Sequence, residues 1–153
     1  MLDVLAELDS RLKKLDFFMW VWRNEDDSIA ERIEDVVQTS RRESSEAARK
    51  LEQQSLRIYP TASDEVNNSC RELLEVTVGL SAEFDLRNRT IWSFPSDVDL
   101  TTLGPGVDIA KLLVPRERSR AEFADDEMQG LKSLRARIES LRRLMLQEID
   151  HID

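Results

Sequence analysis

The sequence predicts an all-α protein: an antiparallel four-helix bundle with coiled-coil-like seams and a long structured crossover segment between helices three and four. Three observations carry this. Apolar residues recur at alternating steps of three and four over most of the chain, the period of a helix seam. Turn formers are scarce, with four Gly and four Pro among 153 residues. Three of those prolines (Pro95, Pro105, Pro115) and two of the glycines (Gly104, Gly106) fall in one stretch, about 89–118, which therefore stands apart from the helices. The length suits one domain, 1–153, large enough to bury a core without staples.

The first helix is predicted from Leu2 to Arg23, with a seam of Leu5, Leu8, Leu12, Leu15, Met19 and Trp22. Phe17, Trp20 and Val21 lie off that seam, so its last turns are apolar nearly all round and need cover on more than one side. The same chain is the expected cover, with a second subunit or a membrane surface as the other two. The membrane reading is the weakest, because Asp3, Glu7, Asp9 and Asp16 interrupt the basic face that an interfacial helix carries.

The second helix is expected from Ser28 to about Tyr59, opened by the S-x-x-E pattern of Ser28 and Glu31 and stopped by Pro60. Ile29, Ile33, Val36 or Val37, Ala47, Leu51 and Ile58 form its stripe, flanked by Leu56. Between Gln38 and Lys50 the inward positions are small. Either a partner helix approaches closely there or the stretch is solvated. Thr61, with Asp64 three residues on, is the expected cap of the third helix, whose seam is Val66, Cys70, Leu73, Thr77, Leu80 and Phe84. Val76 to Gly79 is locally poor for helix, but the surrounding period outweighs it.

In the crossover, Arg89 to Pro95 is extended in character and Ser96 to Asp99 can cap one turn. Gly104-Pro105-Gly106 is a tight bend, and a short helix over Asp108 to Val114 ends at Pro115. Ser119 and Glu122 then open the fourth helix, which runs to about Ile152 on a seam of Leu131, Leu134, Ile138, Leu141, Met145 and Ile152, with Leu144 and Ile149 flanking. Gly130 marks a kink or a close contact. Short connections place the end of helix one, the start of helix two and the end of helix three together. The crossover leaves from that end, so Trp92 and Phe94 are expected to roof the knot of Phe17 to Trp22.

Chemistry finds little to work with. The only imidazole, His151, forms E-x-x-H with Glu148, but a di-iron bundle needs a second such motif and further Glu. Arg143 and His151 do not meet the spacing of helical ribonucleases. One Cys and one His cannot complete a zinc tetrahedron, and no phosphate-binding glycine loop occurs. Cys70 sits on an apolar seam, where core is the simpler role. The carboxylate pairs Glu31/Asp35, Glu72/Glu75 and Glu122/Asp126 suit a solvated surface in so acidic a chain. No catalytic, cofactor-binding or metal-ligating residue is assigned, and no cofactor is expected.

A net charge of −9 argues against nucleic acid as a partner. A single cysteine permits no intrachain disulfide and fits a reducing compartment, so a cytoplasmic protein is expected. The expected function is a non-enzymatic helical protein–protein interaction or scaffolding module, self-associating or bound to a protein partner. Phe17, Trp20, Val21, Trp92 and Phe94 form its candidate interaction surface. The alternatives are a small metal-dependent hydrolase or ribonuclease using surface carboxylates, and a peripheral membrane-binding helical protein.

Overall fold

A computed structural model describes residues 1–81 and 90–150. Its elements are α1 (Leu2–Asn24), α2 (Asp27–Ile58), α3 (Asp64–Ser81), β1 (Thr90–Ser93), β2 (Val114–Glu117) and α4 (Arg120–Asp150), with two 3-10 turns, Leu100–Thr102 and Ile109–Leu112, between the strands. The chain is mostly helical, as the period of its apolar residues requires. Phe84, Arg89, His151 and Ile152, which the sequence placed on the seams, in the crossover or in the E-x-x-H pattern, lie outside the described residues.

α2, α3 and α4 start where a side chain can take up free N–H groups, whereas α1 starts at Met1 without a side-chain cap. The α2 cap is Asp26, whose Oδ1 accepts from the Ile29 amide at 3.0 Å, rather than Ser28. Ser63 Oγ, not Thr61, accepts from the Val66 amide at 3.2 Å and opens α3. Ser119 Oγ accepts from the Glu122 amide at 3.1 Å, as the sequence implied for α4. Gly130 interrupts nothing: α4 is continuous through it, and an added Cβ would meet no atom within 4 Å, so it is not a point of close approach. The poor stretch Val76 to Gly79 remains helical within α3.

α1 packs on α2 and on α4, α2 packs on α3, and α3 packs on α4. The core is built from the expected seams: Leu5, Leu8, Leu12, Leu15, Met19 and Trp22 from α1, Val66, Cys70, Leu73 and Leu80 from α3, and Leu131, Leu134, Ile138 and Leu141 from α4. α2 contributes Ala30, Val37, Ala47, Ala48 and Leu51, and also buries Ser40 and Ser44. This settles the small stretch of α2: α1 lies against it. The ion pairs Arg11–Glu43 (2.9 Å) and Lys50–Glu7 (2.9 Å) fasten the leucines of α1 alongside that small stripe. Ser44 Oγ donates back to the Ser40 carbonyl at 2.9 Å, which lets a hydroxyl be buried there without an orphaned donor.

The crossover differs from expectation. β1 and β2 form a two-stranded antiparallel ribbon, with Thr90 opposite Glu117 and Trp92 opposite Pro115. Pro115 sits inside a strand instead of merely ending a helix, which is tolerated because each strand of a two-stranded ribbon has an unpaired outer edge. The helix predicted over 108–114 shortens to the 3-10 turn at Ile109, capped by Asp108. Among the described residues the ribbon shares no packed interface with the four helices, and Arg116 of β2 reaches α4 through an ion pair with Glu122 at 3.4 Å. Phe94 turns instead toward Leu100, Leu103, Val107 and Ile109 of the crossover itself.

Candidate interaction surface

Among the described residues, Trp92 and Phe94 do not roof the knot. Phe17 and Trp20 are 58% and 55% exposed, and Trp92, far from covering them, is itself 65% exposed. The sequence surface of Phe17, Trp20, Val21, Trp92 and Phe94 is therefore two separate places. The α1 residues share one helix, and the other two belong to the ribbon. The physical reason lies in α4. Its first turns bring Phe123 edge-to-face against Trp22, with ring centroids 5.9 Å apart, and the Arg118 guanidinium lies over the Phe123 ring, 4.8 Å from its centroid. The start of α4 thus closes the core at Trp22, while Phe17 and Trp20 stay outside that closure.

α1 holds its outward aromatics rigidly. Phe17 and Trp20 are three residues apart on one helix face, and the Phe17 ring meets Phe18 at 5.6 Å in a T-shaped contact while Phe18 packs onto the core. The Asn24 amide donates to the Trp20 carbonyl at 2.8 Å, which finishes the helix just beyond the pair. Val21 is half-buried. At the same end, the Arg23 guanidinium grips both carboxylate oxygens of Asp125 at 2.6 and 3.0 Å. That hydrogen-bonded contact holds the Asp125 carboxyl below its ordinary range and the Arg23 guanidinium above its own. Arg120 donates to Asp27 at 3.0 Å and to the Glu25 carbonyl, so α4 clamps the α1–α2 turn.

A second surface was not anticipated. Between the C-terminal half of α2 and α3 runs a groove of about 710 Å³. Leu56, Tyr59 and Val78 stand on its rims, 70%, 66% and 67% exposed, and Leu74 lines it half-buried. Cys70 reaches it from the core, where burial pushes its thiol above the ordinary value. Next to Val78 in sequence, the Gly79 carbonyl accepts from Arg41 at 2.6 Å, and Arg41 pairs with Glu127 at 3.4 Å. Burial lowers the Arg41 guanidinium, against the pull of Glu127. The only sequence signal for this groove was Leu56, an apolar side chain flanking the seam rather than on it.

Charge separates this groove from the other helix contacts. Arg11–Glu43 and Lys50–Glu7 join α1 to α2, and Arg135–Asp9 and Arg23–Asp125 join α1 to α4. No charged side chain of α3 makes an ion pair among the described residues; Arg71 donates only to Asn68, at 3.3 Å. The carboxylate pairs Glu31/Asp35, Glu72/Glu75 and Glu122/Asp126 are all exposed, and the last two residues serve Arg116 and Arg118. No group of three or more His, Cys, Asp or Glu placed to hold a metal ion occurs among the described residues. No described helix is long and apolar enough to cross a membrane. Comparison with protein-family models, with curated proteins and with solved structures gave no match.

Proposed function

We propose that this chain is a non-enzymatic, cytoplasmic helical interaction module that associates with a second copy of itself and scaffolds a protein partner. The observation that carries the reading is large apolar side chains held on rigid helices and left uncovered by their own chain, foremost Phe17 and Trp20 on α1. Contiguous exposed apolar surface of this kind marks binding sites, and aromatic residues are the usual anchors of protein interfaces.

The frame behind those surfaces is read as an antiparallel bundle with coiled-coil-like seams. Two runs of ion pairs support this. Glu7 meets Lys50 and Arg11 meets Glu43, so partners on α2 descend as α1 ascends. Asp9 meets Arg135 and Arg23 meets Asp125, giving the same sense between α1 and α4. The steps of three and four among the buried residues of α1 and α4 support the seams.

The test is light scattering of the purified chain across micromolar to hundred-micromolar concentration. A mass that rises above one chain is expected; a strict monomer over the whole range removes the self-association. The exposed lysines Lys13 and Lys14 beside Phe17 favour one other reading, docking on a lipid surface. Co-sedimentation with anionic vesicles separates the two: no sedimentation is expected, and sedimentation abolished by Trp20→Glu would transfer the aromatic pair to a membrane role.

A further inference from the structure

We propose that the groove between the C-terminal half of α2 and α3 is the face on which a second copy of this chain docks, about a twofold axis, leaving Phe17 and Trp20 free for a different protein. This rests on the reading of the chain as self-associating and names the surface responsible.

The charge pattern selects the occupant. Arg49 and Glu52 line the α2 wall, and Arg71 and Glu75 line the α3 wall. None of the four makes an ion pair among the described residues, whereas the charges flanking α1 are paired across to α2 and α4. A face carrying both signs can be complementary to itself, because a twofold rotation that exchanges the two walls sets the Arg and Glu of one copy against the Glu and Arg of the other. A partner of one sign would gain at two of these residues and lose at the other two. The balance also matters for the whole chain. At a net charge of −9 two copies repel over most of their surfaces. In this groove Arg49 and Arg71 offset Glu52 and Glu75, with Asp64 adding one charge at its end, so approach meets little repulsion here.

The apolar content and the extent agree with that choice. Leu56 and Tyr59 on one rim and Val78 on the other frame half-buried Leu74, giving a small apolar centre with a charged surround, the layout of a specific interface. α3 has 18 residues, about 27 Å at 1.5 Å per residue. With α2 beside it at about 10 Å spacing, the face measures roughly 27 by 20 Å, of the order of the ~800 Å² per partner in a standard interface. No other described helix charge need break an existing ion pair to form this contact.

The experiment is sedimentation equilibrium or light scattering of the full chain and three variants, with circular-dichroism melts to check that each folds. Leu56 is exposed, so Leu56→Arg should melt like the parent and raise the dimer Kd by about tenfold or more. Arg71→Glu, on the opposite wall, upsets the charge balance and should weaken the dimer in the same direction. Trp20→Glu should leave the dimer Kd within about twofold. A parent chain that dimerises while Leu56→Arg and Arg71→Glu dimerise equally well overturns the groove and leaves self-association standing. Loss of the dimer in Trp20→Glu alone moves the interface to α1 and likewise overturns it. A parent chain that is monomeric at every concentration removes both the groove dimer and the reading on which it rests.

Discussion

Ser44 shows what a single residue decides in this molecule. It is fully buried, its hydroxyl is satisfied by the Ser40 carbonyl, and it belongs to the helix on which α1 packs. Ser44→Leu would add three carbons to a seam with no room for them. The expected cost is about 1–3 kcal/mol or more, read as a lower urea midpoint at unchanged slope; an unchanged midpoint would mean that α1 can move away freely. The sequence displayed Ser40, Ser44 and Ala47 plainly but could not choose between close packing and solvation. Small polar side chains serve both, and the choice is made by Arg11, Glu43, Glu7 and Lys50, which lie far apart in the chain. Phe17 and Trp20 were equally visible, yet their exposure was misjudged. Their cover depended on Trp92, and the ring that closes the neighbouring seam position is Phe123.

At the scale of elements, the four helices were legible to within a few residues, because a seam of leucines has one period and helices are long. Their starting caps were less so. Asp26 precedes the matching S-x-x-E pattern by two positions, and either residue is chemically able to accept from the first turn. Gly130 was visible, but its meaning was not. The open space around its Cα means that it serves no contact and that α4 carries it at a cost. Gly130→Ala should therefore stabilise the protein by about 0.5–1 kcal/mol, seen as a higher melting temperature; destabilisation would reveal a crowding that the geometry does not contain. The extended stretch read over Arg89 to Pro95 contains β1 at Thr90–Ser93, but β2 and its pairing with β1 escaped the sequence reading for a different reason. β1 and β2 are short, are separated by two turns and a glycine bend, and one of them contains Pro115, so neither shows the alternation by which strands are found.

For the whole molecule, the short connections led to an expected meeting of the end of α1, the start of α2 and the end of α3, and they did not reveal that the start of α4 clamps the α1–α2 turn. The α2–α3 groove was not readable either, because it arises from the way helices of unequal length, 32 and 18 residues, are set side by side. The clamps at the α1–α2 turn give the fold a pH dependence. The Asp125 carboxyl is held below its ordinary value by Arg23. Its contribution is therefore present above the unfolded carboxylate value, near 4, and is lost as pH falls through the lower folded value. Asp125→Asn should melt below the parent at neutral pH, and the difference should shrink as pH is lowered toward 2.5 in thermal melts; a difference that stays constant would show that the ionised carboxylate plays no part. The ribbon gives the molecule another property. Its strands share no packed seam with the helices among the described residues, and Arg116 reaches Glu122 of α4 as an exposed ion pair, so the ribbon can be shortened or relettered at little expense to the scaffold beneath.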